Sequence, residues 1–136
     1  MKTTILKNIS LSIFTLLMVT TLLVSCGKSN DSKPAGATAT SHKVVYKATT
    51  TNGTIDIVDY TTATGDQSTV TGISVTSYTS AEITVPTSVG SVVFAVTGGG
   101  SSASSTITVQ IYVDGKLVKS NSGTGTSLSA GTSYSF

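Results

Sequence analysis

The chain has no tryptophan and no arginine, one cysteine (Cys26), one histidine (His42) and two prolines in 136 residues. Each shortage removes a class of function. A single cysteine closes no internal disulfide and builds no multi-cysteine metal cage. A single histidine without neighbouring ligand side chains in sequence points to no metal site, and His42 reads as a solvated residue at the end of a linker. Charged residues make up 10% of the chain, against roughly 25% in average soluble proteins. Lys2 and Lys7 lie in the N-terminal segment. From Cys26 onward the lysines at 28, 33, 43, 47, 116 and 119 balance the acids at 31, 56, 59, 66, 82 and 114. A neutral body without arginine offers no electrostatic footprint for nucleic acid.

What is present begins with an address. Lys2 and Lys7 form a short basic region. The run Ile9–Val24, "ISLSIFTLLMVTTLLV", carries no charge. It is shorter than the about 20 residues of a spanning helix, and no basic stop-transfer cluster stands directly behind it. A basic region, a short apolar core and then small residues form the layout of a signal peptide.

The stretch Leu23-Val24-Ser25-Cys26 resembles the lipobox of bacterial lipoproteins. That resemblance implies cleavage before Cys26, a diacylglycerol on its sulfur and an acyl group on its new amino terminus, a palmitate-type modification. Two or more acyl chains hold a protein stably where one gives only marginal binding. The implied organisation is a signal peptide over 1–25, a lipidated cysteine and tether over 26–42, and a folded body over 43–136. Gly27, rather than Asp, after the cysteine leans toward the outer membrane. The tether "GKSNDSKPAGATATS", Gly27–Ser41, is small and polar. As a coil it reaches roughly 20 Å.

From Lys43 the pattern is strand after strand. "KVVYKATT" alternates, with Val44, Tyr46 and Ala48 on one face. "TIDIVDYT" places Ile55 and Ile57 on one face and Asp56 and Val58 on the other. "STVTGISVTSY" is interrupted by Gly72, which predicts a bulge or bend. "AEITVP" alternates until Pro86. "SVVFAVT" is nearly all apolar and predicts a strand covered on both faces. "STITVQIYVDGKLVKS" sets Ile107, Val109, Ile111 and Val113 against Thr106, Thr108, Gln110 and Tyr112. Its Asp114-Gly115 predicts a two-residue hairpin turn. Such a turn pairs Val113 with Lys116, Tyr112 with Leu117 and Ile111 with Val118. "SLSAGTSYSF" closes the chain, with a turn expected near Gly131. The expected fold is all-β: an antiparallel, immunoglobulin-like β-sandwich of seven or eight strands.

"VVYKATTTNGTIDIVDYTTATGDQSTVTGISV", then "ITVP", "SVVFAV" and "ITVQIYVDGKLVKS", resemble the MmpS family (mycobacterial membrane protein, small) and its lipoprotein relatives. The shared features are an opening V-x-Y, a strand ending in Asp/Tyr-Thr-x-x-x-Gly, and an I-x-V-D-G-K-x-V hairpin, over nearly all of 44–136. The resemblance implies an extracytoplasmic immunoglobulin-like sandwich and, from the mycobacterial members, an accessory role beside RND-type exporters. The chain departs from the family in three places. Ser77-Tyr78 stands where many members have Pro-Trp. Val109 stands where a strand cysteine is usual. The anchor is a lipid rather than a transmembrane helix.

The residues supply no catalytic constellation. The histidine lies at the linker and the cysteine is consumed by lipid, so no serine has a base to activate it. Asp56 and Asp59 are three apart on a strand, which predicts opposite faces. Asp59 with Asp66 lacks the spacing of a calcium loop. Gly98–Gly100 lacks the lysine and helix of a phosphate cradle and reads as a flexible loop. No metal and no cofactor is expected beyond the acyl lipid on Cys26. The expectation is a non-enzymatic, lipid-anchored cell-envelope module. It would contact a protein partner, a transporter among the candidates, through Tyr112 and Leu117, with Tyr78 as an outlying member. The alternative is a surface ligand-binding or adhesion lipoprotein for glycans or lipids, which calls for an apolar or aromatic pocket.

Overall fold

Alternation of apolar and polar residues dictates the architecture of the computed structural model, which describes residues 39–136. The signal segment, the lipobox residues Leu23, Val24, Ser25 and Cys26, and most of the tether lie outside the described residues. Nine strands follow in order: β1 (Ser41–Thr51), β2 (Gly53–Thr61), β3 (Gln67–Val75), β4 (Ser77–Thr79), β5 (Ile83–Pro86), β6 (Ser91–Gly100), β7 (Thr106–Val113), β8 (Lys116–Thr124) and β9 (Ser127–Ser135). A 3-10 turn, Thr87–Val89, links β5 to β6. The strands form two antiparallel sheets packed face to face. The first has the order β4-β1-β7-β8, with β5 also pairing β1, and the second has the order β3-β2-β6-β9. The protein is therefore an all-β sandwich. Two short strands along the same edge of β1 bring the count above the expected seven or eight.

Residues two apart on a strand share a face, so one face of each sheet supplies the core. From the first sheet come Val44, Tyr46 and Ala48 of β1, Val85 of β5, and Ile107, Val109, Ile111 and Val113 of β7. From the second come Ile55 and Val58 of β2, Val92, Phe94 and Val96 of β6, and Leu128 and Ala130 of β9. Burying each Val, Leu, Ile or Phe contributes about 1.5–3 kcal/mol. Tyr46 and Phe94 meet at 5.1 Å between ring centroids across the two sheets. The Tyr46 hydroxyl donates to the Thr61 carbonyl oxygen at 2.9 Å, which satisfies the one polar atom that this ring carries inside. Burial pushes the Tyr46 phenol well above its ordinary value.

Several local expectations change once the strands are paired. The expected common face for Ile55 and Ile57 does not form. The register of β2 shifts between these residues against both neighbours. Against β6 Asp56 is the extra residue of a bulge, and an extra residue flips the faces that follow; against β3 the extra residues lie on β3, between Thr71 and Val75. Ile55 and Val58 are buried, while Ile57 is 37% exposed. β3 carries Gly72 in the left-handed region at φ 71, opposite the same irregularity, as its glycine predicts.

β6 is covered on one side only. Val92, Phe94 and Val96 point inward and Val93 is 40% exposed, so this strand alternates despite its apolar run. Gly98–Gly100 is not a loop but the end of β6. A Cβ on Gly98 would lie 1.9 Å from the Thr54 carbonyl oxygen, so glycine permits β2 and β6 to close on each other there. β9 runs straight through Gly131, which pairs with Ala95, and the turn expected there is absent. Finally, β1 begins at Ser41, ahead of the expected start at Lys43.

Candidate functional site

The Asp114-Gly115 turn organises the outer face of the first sheet. Asp114 and Gly115 both have positive φ, 50° and 77°, the combination a two-residue type I′ hairpin requires. Val113 pairs with Lys116 and Tyr112 with Leu117. Beyond that the expected register fails. A bulge between Ile111 and Tyr112 pairs Ile111 with Lys119 rather than with Val118. Val118 still packs against the core, partly buried.

Tyr112 and Leu117 share the outer face as expected. Val45 of β1 pairs with Tyr112 from the other side and extends the apolar strip to three strands. Leu117 is 49% exposed. The Lys47 ammonium sits 4.7 Å from the centroid of the Tyr112 ring, a cation–π contact between two half-buried residues. The Tyr112 hydroxyl donates to Oε1 of Gln110 at 3.4 Å. The result is a strip of Val45, Tyr112 and Leu117 with Lys47 over its ring.

Tyr78 does not join this strip. It pairs with Ala48, which points inward, and its ring packs at 6.5 Å from Phe94. Burial and the nearby Tyr60 raise its phenol above the ordinary value. The reason is register: β4 places Tyr78 beside an inward residue of β1, and the sequence of β4 alone does not state its partner.

His42 corrects another expectation. It is no solvated linker residue but part of β1. Its Nδ1 lies 2.7 Å from Oδ2 of Asp114, and its ring stacks on Phe136 at 4.8 Å. The Lys43 amide donates to Oδ1 of Asp114 at 2.9 Å, and the Asp114 amide donates back to the Lys43 carbonyl. These bonds, first His42 and then the Lys43 amide, hold the Asp114 carboxyl below its ordinary value. The start of β1, the hairpin tip and the C-terminal Phe136 thus meet at one end of the sandwich. The only trace of this in the sequence is the aspartate of the turn, whose carboxylate is free to bond backbone next to it.

The other acids are spread through the fold. Thr69 donates to Asp59, Thr64 donates to Asp66, and Glu82 pairs with the Lys43 ammonium at 2.8 Å, which raises that lysine above its ordinary value. Each of these carboxylates is held by a separate partner. Among the described residues no group of three or more His, Cys, Asp or Glu could hold a metal ion, and no pocket is present among them. No family model matches the chain, and no curated protein matches it.

The charges divide between the sheets. All the lysines among the described residues stand on strands of the first sheet: Lys43 and Lys47 on β1, Lys116 and Lys119 on β8. The second sheet and its β2–β3 loop carry Asp56, Asp59 and Asp66 and no lysine.

Proposed function

We propose that the protein is a lipid-anchored module of the bacterial cell envelope, on the outer membrane, that acts by surface contact rather than by catalysis. The anchor is Cys26 within Leu23-Val24-Ser25-Cys26, and the contact surface is the outer face of the first sheet. The observation that carries the reading is the pairing of half-buried Tyr112 with exposed Leu117, extended by Val45, on the outer face of the first sheet. An aromatic and an aliphatic side chain on a rigid sheet offer contact area at low conformational cost. An accessory role in a membrane assembly, of the kind that MmpS resemblance implies beside RND-type exporters, fits a module of this kind.

The test has two parts. Cys26→Ser is expected to leave an unprocessed chain with Met1 and no acyl mass in the mass spectrum, whereas wild type begins at an acylated Cys26. Crosslinking of intact envelopes, followed by capture of the protein, is expected to recover a partner with wild type and to lose it with Tyr112→Ser. A wild-type protein that still carries Met1 or lacks the acyl mass, or identical recovery with and without Tyr112, overturns the proposal.

A further inference from the structure

The edges of the two sheets differ in how they are protected against a further strand. β8, at one edge of the first sheet, carries Lys116 and Lys119, and charge on an edge strand disfavours addition. β9, at one edge of the second sheet, is covered by β8. The Asn121 side-chain amide donates to the Gly131 carbonyl at 2.8 Å, and a Cβ on Gly123 would collide with the Ser129 carbonyl. At the other edge of the first sheet, β4 and β5 are three and four residues long, and β5 ends in Pro86. Short strands and proline both stop strand addition. β3 lacks these devices. Among the described residues nothing pairs with its far side, and Gln67–Val75 holds no lysine, no acid and no proline.

The ladder fixes which backbone groups of β3 point outward. The Thr62 amide donates to the Asp66 carbonyl at 2.8 Å, just outside the Thr61–Gln67 pair. That pair is therefore a non-hydrogen-bonded one, and the two kinds of pair alternate from there. Ser68 and Val70 bond to β2, while the N–H and C=O of Gln67, Thr69 and Thr71 face away from it. All three residues are exposed, and they are spaced symmetrically about Thr69. We infer that the Gln67–Thr71 edge pairs antiparallel with the same edge of a second copy of the chain, about a two-fold axis at Thr69, and joins two four-stranded sheets into one. In that register Thr69 meets Thr69 of the second copy and Gln67 meets its Thr71, so each outward N–H finds a carbonyl. A Thr–Thr cross-strand pair is favourable, and an uncharged strand brings no like charge against itself. The Asp59 carboxylates of the two copies stand three strand spacings apart, roughly 14 Å, beyond a Debye length of about 8 Å. Gly72, at φ 71, opposes a longer pairing: the irregularity there bends the strand and ends the contact after Thr71. A pair this short falls below the roughly 1,200 Å² of a stable complex, so the association is weak and rises with concentration. This edge lies on the other sheet from Tyr112 and Leu117, and the inference does not depend on the anchor.

The test uses the purified full chain with Thr69→Cys, oxidised with copper phenanthroline at rising protein concentration. Opposed residues of a hydrogen-bonded pair stand about 5.5 Å apart at Cα, within the roughly 4.4–6.8 Å that a disulfide spans. Cys26 is the one native cysteine, so mass spectrometry of the digested dimer separates a bridge at position 69 from one at Cys26. A bridge between position 69 of two copies is expected, with a yield that rises with concentration. Ser120→Cys, exposed on the β8 edge, is expected to stay monomeric. Adding Thr71→Pro removes an outward N–H that β2 does not use, a change an edge strand tolerates. It is expected to abolish the bridge while the Tm by circular dichroism stays close to that of Thr69→Cys alone. Gln67→Pro, at the first residue of β3, makes the same measurement if Thr71→Pro melts early. Absence of a bridge at position 69 at every concentration overturns the inference. So does equal bridging through Ser120→Cys, or a bridge whose yield is unchanged by a folded proline variant.

Discussion

His42 and Asp114 stand 72 residues apart in the chain and 2.7 Å apart in the fold. The bond joins the first strand to the tip of the β7–β8 hairpin. It also turns the ring of His42 onto Phe136, so both ends of the folded body meet at one place.

Acid should weaken this clip. The Asp114 carboxyl is held below its ordinary 3.8 by His42 and the Lys43 amide. A carboxylate with a depressed folded value stabilises above its unfolded value and loses that contribution as pH falls through the folded one. Asp114→Asn is therefore expected to lower Tm near neutral pH, with the gap to wild type closing below about pH 4. Thermal unfolding followed by circular dichroism across this range checks it. A gap that stays constant with pH would assign the bond no ionic character.

Tyr46→Phe removes the donor to the Thr61 carbonyl inside the core. Leaving a buried acceptor unpaired costs about 1–3 kcal/mol, or roughly 4–8 °C in Tm per kcal/mol for a domain of this size. The phenol of Tyr46 is raised above its ordinary 10.0 by burial. Its contribution is thus complete below about pH 10 and lost as pH rises further. Wild type should lose stability in strong alkali more steeply than Tyr46→Phe, as measured by denaturant midpoints.

The bulge at Asp56 makes two isoleucines unequal. Ile55 is fully buried and Ile57 is 37% exposed. Ile55→Ala is expected to cost about 2–5 kcal/mol, and Ile57→Ala less than about 1 kcal/mol. Urea unfolding of the two variants decides it. Equal costs would mean that β2 alternates without a bulge.

Two glycines should respond differently to alanine. A methyl at Gly98 would meet the Thr54 carbonyl oxygen at 1.9 Å, whereas nothing lies within 4 Å of one at Gly72. Gly98→Ala must push β2 and β6 apart and is expected to cost about 3 kcal/mol or more. Gly72→Ala meets only the strain of a positive φ, about 1 kcal/mol. Expression yield and thermal unfolding should rank the two in that order.

The fold class was legible because strand alternation is local. Period two, β-branched residues and the Asp114-Gly115 pair lie within a few residues of each other, and they suffice for an all-β sandwich and for the Tyr112–Leu117 pairing. The resemblance of Leu23-Val24-Ser25-Cys26 to a lipobox also rests on adjacent residues, and these lie outside the described residues. The faces of Ile57 and Tyr78, the continuation of β6 through Gly98–Gly100 and the bonds of His42 were decided only in the tertiary structure. Each depends on which strand lies alongside and in what register. A bulge of one residue, such as Asp56, reverses every face beyond it, and no pattern within β2 alone shows that its neighbours have shifted.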